Sequence, residues 1–97
     1  MMHGEYKMPG GKLIVADVTL RDGRIDAIQV SGDFFLEPDA ALATIDAALR
    51  GQPAAADEAA LAACISAALG PEVTMYGISP EAVAVAVRRA IDQGADA

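Results

Sequence analysis

The chain has 97 residues, with 7 Lys and Arg against 14 Asp and Glu, giving a formal net charge of −7. That balance argues against a nucleic-acid partner held through phosphates, which needs clustered cations, and equally against an anionic membrane surface. The basic residues are scattered, and Arg88-Arg89 is their only adjacent pair.

The length fits one domain over 1–97, with a β-hairpin region at 5–31 and a helical region at 38–92. A chain of this size buries about two-thirds of its unfolded surface, enough for one core without a disulfide or structural metal. Hydrophobic residues make up 54 %, but many are alanine, and there are two Tyr, two Phe and no Trp. Val, Ile, Leu and Met must therefore carry most of the burial. The lone Cys64 excludes an internal disulfide and a multi-cysteine metal site. Without a charged-then-apolar leader or an apolar run near the roughly 18 residues of a membrane span, the expectation is a soluble protein of the reducing cytoplasm.

Met1-Met2-His3-Gly4 reads as a loose end, and Glu5 to Met8 as a short edge strand ahead of the Pro9-Gly10-Gly11 turn. From Lys12 to Leu20 residues alternate, with Ile14, Ala16, Val18 and Leu20 on one face. Asp22-Gly23 is a hairpin turn signal, and a second strand follows from Arg24 to Ser31. A two-residue turn pairs Leu20 with Ile25 and Val18 with Ala27, which sends Ile28 and Val30 to the wrong face. Either a β-bulge shifts the register mid-strand or both faces are partly covered, and the bulge is favoured.

Three helices follow. Pro38 suits the first position of one, with Asp39 in its first turn and Gly51 at its stop. Its apolar stripe is Leu42, Ile45 and Leu49. After a linker over 52–56, Asp57 is the N-cap of a second helix lined by Leu61, Cys64, Ile65, Ala68 and Leu69, ended by Gly70-Pro71. Val73 to Tyr76 is a short extended piece. Ser79-Pro80-Glu81 opens a third helix with an N-cap serine and an N1 proline. There Val83, Val87, Ala90 and Ile91 share a stripe, Val85 points away from it, and an acidic tail frays.

Few residues carry chemistry. Pro9-Gly10-Gly11-Lys12 invites a phosphate-loop reading, but Tyr6 and Leu13 stand where that pattern requires glycine and Ser or Thr. The paired glycines read as a tight turn, or as backbone approaching a ligand or partner with Lys12 offered as a point charge. Asp33 has no second carboxylate or histidine beside it in sequence, and fits a turn anchor that hydrogen-bonds backbone amides. Phe34 and Phe35 cannot both face inward on extended backbone, so either one is core and the other lies at an edge or interface, or a local kink buries both. Cys64, on an apolar helix side with no basic neighbour, reads as an inert thiol. His3 is the sole histidine, so no Ser–His–Asp or Cys–His set can be assembled. Catalytic residues and metal ligands are accordingly assigned to none.

The order of these features resembles a known family. Tyr6-Lys7-Met8-Pro9-Gly10-Gly11-Lys12-Leu13 leads a strand, an Asp-Gly hairpin follows, Gly32-Asp33-Phe34-Phe35 precedes a Pro-started helix, and Gly77-Ile78-Ser79-Pro80-Glu81 opens the last. The chain is similar, from about Tyr6 to Ile91, to the small C-terminal accessory domain of lipoate–protein ligases, in the form made as a separate small subunit. The resemblance implies a large partner subunit that binds ATP and lipoate, forms lipoyl-adenylate, and passes the lipoyl group to a lysine of an acceptor domain. The small subunit is needed for adenylation and binds no cofactor alone. It further implies that Gly10, Gly11, Lys12, Gly32, Asp33, Phe34 and Phe35 face the catalytic subunit or its nucleotide site, with Lys12 making the polar contact. The alanine-rich, lysine-poor helices depart from the family's pattern.

The expected architecture is α+β, a small antiparallel sheet packed against three helices. The expected function is the accessory subunit of a lipoate–protein ligase, partnered with the catalytic subunit and transiently with an acceptor domain. The competing readings are a scaffold or carrier of sulfur or iron–sulfur metabolism, which needs an exposed activated cysteine, and an interaction module with another partner. Val85 and the Phe34-Phe35 edge are the candidates for leftover apolar surface.

Overall fold

Alternating apolar side chains in the N-terminal third build one sheet, and the helices cover a single face of it. The computed structural model describes residues 2–96. Its elements are strand β1 at Met2–Lys7, β2 at Leu13–Arg21, β3 at Arg24–Gly32 and β4 at Phe35–Glu37, helices α1 at Ala40–Leu49 and α2 at Glu58–Ala68, strand β5 at Thr74–Tyr76, and helix α3 at Pro80–Asp96. The first three strands form an antiparallel sheet in the order β1-β2-β3, and β4 pairs antiparallel with β5 in a separate ribbon. The fold is α+β, as the sequence pattern predicts.

The loose N-terminus is not observed. Met2, His3 and Gly4 belong to β1 and pair with Val18, Asp17 and Ala16. The reason is the close approach of β1 to α3: a Cβ on Gly4 would run into the backbone of Ala86 and Ala90. A glycine facing small helical residues lets strand and helix backbones meet, and pairing with β2 satisfies the strand's amides. Met1 lies outside the described residues. The predicted fraying of the acidic tail is also corrected, because α3 continues to Asp96.

Asp22 and Gly23 both have positive φ, 54° and 75°, which matches the right-handed twist of a two-residue hairpin. Leu20 pairs with Ile25, but Thr19 pairs with Ala27 and Val18 with Ile28, so Asp26 is the extra residue of a bulge. The bulge returns Ile28 and Val30 to the face of Ile14, Ala16 and Val18, and all five are buried.

The outer edge of β3 is covered. The Gly51 amide donates to the Ile25 carbonyl at 2.8 Å and the Ile25 amide to the Gln52 carbonyl at 2.9 Å. Further along, the Val30 amide donates to Asp46 Oδ1 at 3.2 Å. Burial pushes the Asp46 carboxyl above its ordinary range, opposed by that amide and by Arg50. These contacts block edge-to-edge strand pairing.

The first helix begins at Ala40, later than predicted, because Pro38 directly follows the paired residue Glu37 and is spent in the turn. Ala41, Ile45 and Leu49 are buried there, and Leu42 is half-buried. On α2 the Asp57 carboxylate accepts the Ala60 amide at 2.8 Å, the predicted cap. Ala62 joins Leu61 and Ile65 in the core, whereas Ala68 is exposed. On α3 the Ser79 hydroxyl accepts the Ala82 amide at 3.1 Å. Ala82, Val83, Ala84, Ala86, Val87, Ala90 and Ile91 are all buried, because α3 lies between the sheet and α2.

The uncovered sheet face carries His3, Glu5 and Asp17. His3 Nδ1 is 2.7 Å from Asp17 Oδ1, and Nε2 is 2.6 Å from Glu5 Oε2. The hydrogen bond to Glu5 raises the His3 pKa most, followed by that to Asp17.

Two outcomes are expected. Gly4→Ala should cost about 1–3 kcal/mol by overpacking β1 on α3, read as a lower urea midpoint. Because the folded His3 pKa is raised, its contribution should be fully present below the unfolded value of about 6.5 and be lost as pH rises through the folded value. His3→Ala should remove that pH dependence from urea denaturation, and a dependence that persists in the variant counts against the pairing.

Candidate docking surface

Alternation along the β4–β5 ribbon divides it into a core side and an outer side. Leu36 is buried and Met75 half-buried, which leaves Phe35, Glu37, Thr74 and Tyr76 on the other side. Phe35 pairs directly with Tyr76, with ring centroids 5.5 Å apart and planes tilted by 40°. Each residue is 51 % exposed, and they are the exposed large hydrophobics among the described residues. The question of which phenylalanine faces inward is answered: Phe34 packs half-buried against the core and Phe35 faces out.

Two turns meet this ribbon. Pro9 and Gly10, the latter with φ of 70°, occupy the central positions of a turn closed by the Gly11 amide on the Met8 carbonyl at 2.9 Å. The turn delivers exposed Lys12, whose amide donates to the Gly77 carbonyl at 3.4 Å. The aliphatic stem of Lys12 lies where a Gly77 side chain would begin, and Gly77 has φ of 74°. Gly77 thus ties the lysine turn to the strand end that carries Tyr76. At Gly32 a Cβ would strike the Leu13 carbonyl, and that carbonyl accepts the Asp33 amide at 3.3 Å. The main chain of Asp33 therefore makes the anchoring contact. Its carboxylate, expected to hold backbone amides, is exposed and has no hydrogen bond among the described residues.

The structure thus draws together Gly10, Gly11 and Lys12 through Gly77, and Gly32, Asp33, Phe34 and Phe35 through Leu13 and Tyr76. Sequence reasoning missed Tyr76. Its signal was the short extended piece from Val73 to Tyr76, whose backbone amides need a partner strand. Also missed were Glu37, Asp39 and Glu72, which line an open groove beside Phe35 together with Pro38 and Thr74. None of the three carboxylates is in an ion pair among the described residues, whose ion pairs join His3 to Glu5 and Asp17, and Arg88 to Asp92.

The other candidate groups lie elsewhere. Cys64 is half-buried, and its thiol donates to the Ala48 carbonyl at 3.2 Å. His3 occupies the end of β1 opposite the lysine turn. Among the described residues no group of three or more His, Cys, Asp or Glu could hold a metal ion, and no helix is long and apolar enough to cross a membrane. Val85 is half-buried in a small groove with Tyr6, Met8 and Pro9, so it offers little free apolar area.

Fold and site together define an α+β domain whose distinctive feature is a surface of aromatic rings and tight turns. The fold is similar to that of a chain in the solved structure of an archaeal lipoylation system, a bi-partite lipoate protein ligase and its E2 lipoyl domain from Thermoplasma acidophilum. The TM-score is 0.68 at 28 % identity, covering 90 % of this chain and 98 % of that one. The resemblance to the lipoate–protein ligase accessory domain therefore holds at the level of structure. No protein-family model matches the chain, and no curated protein matches it significantly.

Phe35→Ala should cost about 0.5–1.5 kcal/mol, the worth of an aromatic pair, and well short of the roughly 3–5 kcal/mol for truncating a buried phenylalanine. Urea denaturation measures it, and a loss in the higher range would place the ring in the core.

Proposed function

We propose that this chain is the accessory subunit of a lipoate–protein ligase, which docks on the catalytic subunit and enables ATP-dependent adenylation of lipoate before transfer to a lysine of an acceptor domain. One observation carries the reading. The glycine-lysine turn and the Gly32–Phe35 segment, far apart in sequence, converge around the exposed Phe35–Tyr76 pair. The similarity in fold to a chain of the Thermoplasma acidophilum system supports it independently.

The contribution of such a subunit is positional. Adenylation needs the lipoate carboxylate held in line with the α-phosphate of ATP while water is kept out. ATP and lipoate sit on the catalytic subunit. This chain supplies a rigid cover, with Phe34 and Phe35 at its edge and the Lys12 ammonium as a point charge near the nucleotide phosphates. The acceptor domain meets the assembly only transiently.

The reading competes with a cysteine-based scaffold, which the hydrogen-bonded, half-buried Cys64 does not favour. Mixing the chain with the catalytic subunit should switch on lipoate-dependent exchange of pyrophosphate into ATP. Transfer from preformed lipoyl-adenylate should proceed almost equally well without the chain. If exchange is as fast in its absence, the proposal is wrong. Lys12→Ala should slow the exchange about tenfold or more if the ammonium stabilises phosphate charge, with the fold unchanged by circular dichroism.

A further inference from the structure

The rings of Phe35 and Tyr76 are not surrounded evenly. Glu37 and Thr74 form the cross-strand pair two residues along the ribbon, and Asp39 and Glu72 complete the groove on that side of Phe35. Three carboxylates thus border one side of an aromatic patch and are unpaired among the described residues. The same rings meet Lys12 only through Gly77, on the side of the lysine turn. The patch is polarised, acidic toward the start of α1 and basic toward the turn.

We propose that the acidic side of this patch is a recognition site for an arginine-bearing segment of the catalytic subunit, which lays a guanidinium on the Phe35 ring and pairs it with Glu37, Asp39 and Glu72. The inference rests on the docking reading above and adds the chemistry of the partner. A planar guanidinium can stack on an aromatic face and donate to carboxylates at the same time, which an ammonium does less well. Exposed aromatics beside unpaired charge suit the core and rim of a specific interface. A chain with net charge −7 repels a second copy at this patch, so charge complementarity favours a basic partner over self-association.

The fold tolerates the necessary changes. All three acids are exposed, and the Asp39 carboxylate makes no capping bond to α1. The test measures affinity of the full chain for the purified catalytic subunit by calorimetry. It compares the parent with a patch variant carrying Glu37→Gln, Asp39→Asn and Glu72→Gln. A control variant carries Asp22→Asn, Asp26→Asn and Glu58→Gln, which changes net charge equally at exposed sites elsewhere. The patch variant should bind about tenfold or more weakly at low salt and lose most of its salt dependence, while the control stays within about twofold. Phe35→Ala should weaken binding too. Combined with the patch changes it should cost less than the product of the two effects, because one guanidinium serves both. Parent-like affinity of the patch variant, equal losses in patch and control, or fully multiplicative effects would each overturn the inference and leave the docking proposal standing. Failure of the parent chain to bind the subunit, or its dimerisation through Phe35, would overturn both.

Discussion

The contact between β1 and α3 is the constraint on which the rest of the fold depends. Gly4 lies against the backbone of Ala86 and Ala90, leaving no room for a side chain between strand and helix. At one end of this contact Met2 reaches Gly94, and at the other Met8 and Pro9 lie beside Ser79 and Ala82. The strand is thus laid along the helix from end to end. Arg89 ties it further, stacking over the Tyr6 ring at 5.0 Å and donating to the Glu5 carbonyl at 3.0 Å. The buried alanines of α3, Ala82, Ala84, Ala86 and Ala90, have their physical reason here, because α3 is packed by both the sheet and α2 and larger residues would separate the layers.

That contact also places the site. With β1 docked along α3, the turn that follows β1 must sit at the helix N-terminus, beside Gly77 and Tyr76. The hydrogen bond from Lys12 to Gly77 follows from this placement. Tyr76 then leads across the ribbon to Phe35. The main sheet has its β3 edge covered by Asp46 and the α1–α2 linker, whereas the ribbon is joined to the core through Leu36, Met75 and Phe34 and leaves its ring-bearing side open. Arg88 holds the same linker from the other side, donating to the carbonyls of Ala54 and Ala56. Among the described residues the exposed large hydrophobics, Phe35 and Tyr76, both lie on the ribbon.

A surface of this kind acts by contact. Two aromatic rings, a lysine on a rigid turn and a border of carboxylates can align and cover a partner's site without taking part in bond making. The role proposed for the chain in lipoylation asks for no more than this, which fits a polypeptide whose single histidine and single cysteine are engaged elsewhere.

Several features were legible in the sequence because they rest on local chemistry. Period-2 alternation marked β2 and β3, and the conflict of phase after Asp22-Gly23 pointed to a bulge. Ser79, Pro80 and Asp57 marked helix starts through the amides that they cap or lack. Other features depended on residues distant in sequence. His3 and Gly4 form a strand only because Ala86 and Ala90 leave room for it. Phe34 turns inward and Phe35 outward because β4 must bury Leu36 and pair with β5, a partner about forty residues away. Tyr76, Glu37, Asp39 and Glu72 gained meaning only once that ribbon had formed. Local periodicity and capping determined which segments are strands and helices; close backbone packing and long-range strand pairing decided which side chains share a surface, because neither is encoded within any one segment.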